Sequence, residues 1–316
     1  MSKEEYISVE TAAKSWNISE RSVRNYCFLG RVAGAILEGK TWKIPKDAQK
    51  PGRQIRHSAK KESLLDVLKR EKDSGLKGGI YHEIQIELTY NSNHIEGSRL
   101  SHEQTRFIFE TKTLEATEKT VKVDDIIETV NHFRCIDLII EGAKSKLTES
   151  FIKQLHFILK SGTTDSQKSW FRIGDYKMLE NEVGGQETVK PEKVPEEIKS
   201  LLNKYNSKKL ITFDDILDFH VCFEAIHPFQ DGNGRVGRLI MFKECLKNNI
   251  VPFIITDELK MFYYRGIKEW KNEKGYLRDT CLAAQDYMKE RLGKFGDSFR
   301  TNRLPISALN ASHLVH

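Results

Sequence analysis

No apolar run in this 316-residue chain approaches the 18 or more residues of a membrane-spanning helix, so a helical membrane protein is excluded. The opening Met1-Ser2-Lys3-Glu4-Glu5 lacks a secretory signal pattern, and no membrane contact and a cytoplasmic location are expected. Cysteine is sparse: Cys27, Cys135, Cys222, Cys245 and Cys281 are odd in number, widely spaced and contain no Cys-x-x-Cys pair. That argues against a disulfide framework and a cysteine zinc site, and the thiols read as buried and reduced. Internal repeats and low-complexity segments are absent as well. What remains, 39% hydrophobic and 30% charged residues, is ordinary for a globular protein long enough for two domains.

Positive charge is concentrated at one end. Residues 1–61 hold 13 Lys and Arg against 6 Asp and Glu, a net +7, so the rest of the chain carries −1 of the total +6. A basic module on a near-neutral body points to an acidic partner for that module. Within it, Ser8 caps a short helix ending at Trp16, Asn17-Ile18-Ser19 turns the chain, and Ser19 caps a second helix from Glu20 to Leu29 that Gly30 ends. The second helix exposes Arg21, Arg24 and Asn25, side chains suited to phosphates and base edges. A hairpin pattern follows, Ala35 to Leu37 and Thr41 to Ile44, closed by Pro45. This module, residues 1–55, resembles the winged helix-turn-helix of excisionase and MerR-type proteins, which implies DNA as its partner; the alternative is a protein-docking module. Gly34 to Thr41 also matches the phosphate-loop pattern Gly-x4-Gly-Lys-Thr. A strand rather than a helix follows it, so it is rejected as a nucleotide site.

The body is organised around His227-Pro228-Phe229-Gln230-Asp231-Gly232-Asn233-Gly234-Arg235-Val236-Gly237-Arg238. Apolar helices flank this polar stretch on both sides. Pro228 disfavours helix at His227, and the Asp-Gly-Asn-Gly turn precedes a new helix. Backbone N–H groups then converge at a positive helix end, with no Cβ at Gly232 or Gly234 to hold an anion away. The cradle has no lysine. Arg235 and Arg238 project from neighbouring positions on the first turn and can grip further phosphates. Asp231 offers a hard oxygen for magnesium, and His227 can take a proton near neutral pH.

These residues resemble the Fic signature, His-x-Phe-x-(Asp/Glu)-Gly-Asn-Gly-Arg-x-x-Arg, with every fixed position filled. The resemblance implies a mainly α protein: an all-helical Fic core with a β-hairpin flap, joined here to the small N-terminal winged helix. It implies a protein adenylyltransferase that moves AMP from ATP to a Ser, Thr or Tyr hydroxyl of a protein, itself included, with ATP as co-substrate and Mg2+ as cofactor. His227 would be the base and Phe229 the core anchor. Asp231 would hold the metal, and Gly232, Asn233, Gly234, Arg235 and Arg238 would bind nucleotide. Upstream, Ser92-x-x-x-Glu96-Gly97 resembles the family's inhibitory motif. This implies that Glu96 pairs with Arg238 in place of the γ-phosphate and that the same glutamate can serve the reverse reaction. Tyr264, in an aromatic run, is a candidate for the adenine pocket. A phosphate-transferring Doc-like activity is disfavoured because that branch has lysine where this chain has Gly234. A nucleotide-sensing transcription regulator is the other alternative, although a sensor does not need His227.

The resulting organisation is a linker and helix over 56–75, a Fic domain over 76–292 with its inhibitory motif at 92–97, flap at about 170–190 and active loop at 227–238, and a tail over 293–316. Homodimers are expected from the pairing habits of both modules.

Overall fold

The computed structural model describes residues 6–28, 30–39, 41–51, 62–114, 120–295 and 299–300. Lys40, the basic linker over 52–61 and the tail from 301 onward lie outside the described residues. Two compact units divide the chain, residues 1–60 and 61–316.

In the first unit, strand β1 (Tyr6–Ile7) precedes helices α1 (Val9–Trp16) and α2 (Glu20–Phe28) and the hairpin β2 (Ile36–Glu38) and β3 (Thr41–Pro45). Ser8 caps α1 by accepting the Thr11 N–H at 3.1 Å, and Asn17 ends it in left-handed geometry. Ser19 accepts the Ser22 N–H at the start of α2, and Gly30, at φ +66°, follows its end. Val9, Ala12, Ala13, Trp16, Val23, Cys27, Val32 and Ile44 form the core. One strand exceeds the sequence expectation: β1 pairs antiparallel with β3, giving the order β1-β3-β2. Two residues are too short for an alternation pattern to register.

The second unit is mainly helical. Strand β4 (Glu62–Ser63) leads into α3 (Leu64–Ser74), α4 (Ile80–Ile95), α5 (His102–Thr111), α6 (Val123–Gly142) and α7 (Glu149–Lys160). The short hairpin β5 (Glu182–Val183) and β6 (Gln186–Glu187) comes next, then α8 (Val194–Asn206), α9 (Phe213–Ile226), α10 (Asn233–Lys247), α11 (Lys260–Glu269), α12 (Gly275–Gly293) and β7 (Phe299–Arg300), which pairs parallel with β4. Capping boxes open three of the helices, Ser63/Asp66 for α3, Ser101/Gln104 for α5 and Thr212/Asp215 for α9. Leu64, Leu65, Val67 and Leu68 of α3 sit in the same core as the later helices. No helix among the described residues is long and apolar enough to cross a membrane.

Helix α10 lies at the centre, packed on α9, α6 and α7. Most of its residues are buried, the pattern of a helix surrounded on all sides. Even Lys243 and Glu244 are enclosed: the ammonium reaches Glu244 at 2.9 Å and the Ser145 carbonyl at 2.8 Å, and Tyr205 donates to the carboxylate at 3.0 Å. A central helix held this firmly fixes the position of its own N-terminus.

The flap differs from expectation. Strand pairing is confined to Glu182–Val183 and Gln186–Glu187 across a Gly184-Gly185 turn with φ +58° and +76°, the two positive values of a primed hairpin turn. Residues 170–181 form no strand because their polar groups bond elsewhere, beginning with the Lys177 N–H to the Pro228 carbonyl at 2.9 Å.

Candidate active site

The loop between α9 and α10 is built by four local devices. His227 ends α9 in left-handed geometry (φ 51°, ψ 63°), and Pro228 after it bars continuation of the right-handed helix. Phe229 is fully buried and stacks on the His156 ring, with centroids 3.9 Å apart and planes at 4°. Asn233 closes the loop: its Oδ1 accepts the Phe229 N–H and its Nδ2 donates to the Phe229 carbonyl, both at 2.8 Å. Gly232, at φ +80°, starts α10, and the first intrahelical bond is Val236 N–H to Gly232 O at 3.0 Å. The N–H groups of residues 233–235 therefore precede the helix ladder at its positive end. The Asn233 side chain is committed to the loop itself, which leaves its backbone as the part available to a ligand.

Arg238 is buried one turn into α10. Its Nε donates to Ser92 Oγ at 3.0 Å, and its terminal nitrogen donates to the Ser92 carbonyl at 2.9 Å and to Glu96 Oε1 at 2.7 Å. Ser92 lies in the last turn of α4 and Glu96 caps that helix four residues on, so one helix end supplies the whole clamp. A Cβ added to Gly234 would overlap Glu96 Oε1 and lie 3.1 Å from the Arg238 guanidinium. Burial alone would raise the Glu96 carboxyl, but the positive fields of Arg238 and Arg235 outweigh it and hold it below the usual carboxylate range.

Arg235 faces a different group. It binds Glu128 of α6 and, at 3.3 Å, Asp231 Oδ2. The same Asp231 oxygen accepts the buried Lys160 ammonium at 2.7 Å, and Lys160 also reaches Glu128 at 2.6 Å and Asp165 at 3.2 Å. These cations overcome desolvation and depress the Asp231 carboxyl far below its ordinary value, although its side chain remains 48% exposed. Asp231 therefore stays ionised with one face open to solvent.

The His227 ring is half-buried. Its Nδ1 is enclosed and makes no hydrogen bond within the described residues. Burial, then the Lys177 charge, lower its pKa to about 4, so the imidazole is neutral at physiological pH. Tyr264 is 40% exposed, and burial with the charge of Glu96 pushes its phenol up to about 12. Its neighbour Tyr263 is interior and bonds His220 Nε2 at 2.5 Å. Thus the structure brings His227, Asp231, Gly232, Asn233, Gly234, Arg235, Arg238, Ser92 and Glu96 to one region, and Tyr264 lies within electrostatic reach of Glu96 and Arg238. In the first unit, Arg21, Arg24 and Asn25 are exposed on α2 opposite the buried Val23 and Cys27, and Arg24 pairs with Glu20 at 2.7 Å.

Sequence reasoning missed Glu128, His156, Lys160 and Lys177. His156 joins three parts of the site: Nδ1 accepts the Gly174 N–H at 2.9 Å, so Nε2 carries the proton and donates to the Asp231 carbonyl at 3.2 Å, while its face supports Phe229. A histidine and a lysine at i and i+4 on a helix otherwise read as amphipathic core were the available signal.

Residues 146–245 match the model of the Fic/DOC family. Protein adenylyltransferase fic-1 of Caenorhabditis elegans is 27% identical over 187 residues, 56% of this chain and 35% of that protein. A probable protein adenylyltransferase of Aquifex aeolicus is 39% identical over 80 residues, 25% of this chain and 24% of that one. The aligned stretches thus span only about a third and about a quarter of these two curated relatives. Among solved structures, a Fic domain containing signaling protein from Bacteroides thetaiotaomicron superposes with a TM-score of 0.58 at 23% identity, over 72% of this chain and 93% of that one. Fic-1 of C. elegans, residues 134–508, gives 0.59 at 19% identity, over 74% and 72%. The second unit has the Fic fold.

Proposed function

We propose that the chain is a protein adenylyltransferase of the Fic type, transferring AMP from ATP to a hydroxyl of a protein and held in check by Glu96. The observation that carries this reading is the Arg238 clamp: a buried guanidinium in the first turns of α10 is neutralised by a carboxylate from the end of another helix. Deleting one partner of a fully buried pair ordinarily costs about 3–5 kcal/mol, but Glu96 is partly exposed and a nucleotide phosphate can take its place.

In the reaction His227 Nε2, the nitrogen left available by the burial of Nδ1, takes the hydroxyl proton of a Ser, Thr or Tyr side chain as its oxygen attacks the α-phosphorus. A new P–O bond forms, the bond to the leaving pyrophosphate breaks, and the backbone of 232–234 with Arg235 and Arg238 carries the phosphate charge. Arg235 acts from behind Asp231 as much as on phosphate, given its bonds to Glu128 and Asp231. Tyr264 borders the adenine. The β5–β6 hairpin holds the target segment by main-chain pairing, which sets a hydroxyl opposite His227 without demanding a sequence. The target is another protein or a second copy of this chain, and a homodimer is the expected assembly.

Asp231 fits Mg2+: it is ionised, partly exposed and a single hard oxygen donor, and Mg2+ keeps several waters while taking other ligands from phosphate. When bound, the ion would neutralise the phosphates. Lys160 and Arg235 already occupy one Asp231 oxygen, so Mg2+ is expected to arrive with the nucleotide. The first unit is assigned to DNA through Arg21, Arg24 and Asn25, on its basic charge and helix-turn-helix layout.

Incubating Glu96→Gly with ATP and Mg2+, followed by intact-mass measurement, tests the reading, with His227→Ala as control. Label from the α-phosphate appears on protein if the reading holds. Transfer of γ-label would mean Doc-like phosphorylation, and nucleotide binding with no modified protein would favour a sensor.

A further inference from the structure

Lys177 is buried, yet the three partners of its ammonium are all neutral: Asn181 Oδ1 at 2.7 Å, Thr188 Oγ1 at 2.5 Å and the Ile226 carbonyl at 3.5 Å. No carboxylate among the described residues lies within ion-pair distance of it, whereas Lys160 is surrounded by Glu128, Asp165 and Asp231. The surrounding segment is laced to the catalytic loop. The Lys177 N–H donates to Pro228 O at 2.9 Å, Leu179 N–H to Gln230 Oε1 at 3.2 Å, and Asn181 Nδ2 to Phe229 O at 3.1 Å. Thr188 closes the mouth of the hairpin by donating to Asn181 Oδ1 at 2.6 Å.

We propose that Lys177 is a positioning residue for the reaction at His227: its uncompensated ammonium ties the mouth of the β5–β6 hairpin to the catalytic loop and disfavours a second positive charge on the imidazole. This rests on the adenylyltransferase reading for its catalytic consequence, but the electrostatic part stands alone. The ammonium bonds the carbonyl of the residue just before His227, so the same contact fixes the turn and delivers the charge. Opposing it are Asp231 and Glu96, whose charges favour a protonated ring, and Glu180, which favours the charged lysine. Burial pushes Lys177 itself down to about 8, so it remains largely charged at neutral pH. The benefit is a base that is free below neutrality, beside phosphates that would otherwise promote its protonation.

The test is an NMR titration of the His227 ring in histidine-labelled protein. Lys177→Met removes the charge, and Asn181→Asp leaves the lysine but sets a carboxylate against it, with loss of the Nδ2 donor to Phe229 O. Both should raise the His227 midpoint by about one pH unit, and Lys177→Arg should leave it in place. In the Glu96→Gly background, the acid limb of kcat/KM should move up by the same amount, a shift that loosened packing alone would not produce. If Lys177→Met does not fold, Asn181→Asp carries the test. An unmoved midpoint in the folded variants overturns the proposal. A moved midpoint in a protein whose Glu96→Gly parent transfers no α-label overturns the adenylylation reading and leaves the charge relation standing.

Discussion

Replacing Glu96 by glycine should weaken the empty protein and strengthen its grip on ATP, two effects whose sizes follow from the same contact. The pair has one direct hydrogen bond, at 2.7 Å, while Arg238 keeps both bonds to Ser92. A charged hydrogen bond contributes about 1.5–3 kcal/mol, and the 27% exposure of the Glu96 side chain places this one near the lower end, about 1.5–2. At about 2–4 °C per kcal/mol, the Tm of the nucleotide-free variant should fall by roughly 3–8 °C. ATP then gains a guanidinium contact of similar worth, which corresponds to about 10–30-fold tighter binding. AMP lacks the outer phosphates and should gain little. Isothermal titration with ATP, ADP and AMP, on both proteins and with Mg2+, gives the decisive ratio. If the substitution changes ATP and AMP affinity equally, Glu96 does not stand in the place of an outer phosphate, and the reasoning fails.

Four further outcomes are expected. Burial lowers His132, His156 and His220 to about 3 and His227 to about 4, so these rings are neutral in the fold and protonated in the unfolded chain between pH 6.5 and about 4. The stability they support is complete above pH 6.5 and is lost as pH falls; urea unfolding near pH 5 should show an uptake of close to four protons, a slope of about 5 kcal/mol per pH unit, and a flat profile would refute it. His156→Ala should cost about 2–4 kcal/mol in urea unfolding, since it removes the support of Phe229 and two hydrogen bonds; His156→Phe should recover only the stacking part. Asn233→Ala should cost a similar amount and slow α-label transfer in the Glu96→Gly background, because the Phe229 amide and carbonyl lose their partners; unaltered turnover would show that the clamp does not shape the loop. Removing both Arg21 and Arg24 should reduce the slope of log affinity against log salt for duplex DNA by about 2, and an unaltered slope would place the acidic partner elsewhere.

The chain of helices was legible because its boundaries are written in local chemistry: Thr212 with Asp215, Ser101 with Gln104, and Pro228 after the last helical residue of α9. The active loop was legible for the same reason, since glycines, a proline and charges crowd between two apolar runs. Other features depend on residues far apart in sequence. Glu128 meets Arg235 across more than a hundred positions, and His156 and Lys160 meet Asp231 across more than seventy. No local period encodes such meetings. The flap was expected over about 170–190, and its strands formed only at 182–187 because polar groups of its first half found partners in the catalytic loop.

Gly234 and Glu96 occupy one space between them. Any side chain at 234 meets the end of the Glu96 carboxylate first and would displace it from its seat against Arg238. A mutational change of the phosphate grip at 234 is therefore coupled to a residue more than a hundred positions upstream, and substitution there should itself loosen the Glu96–Arg238 pair.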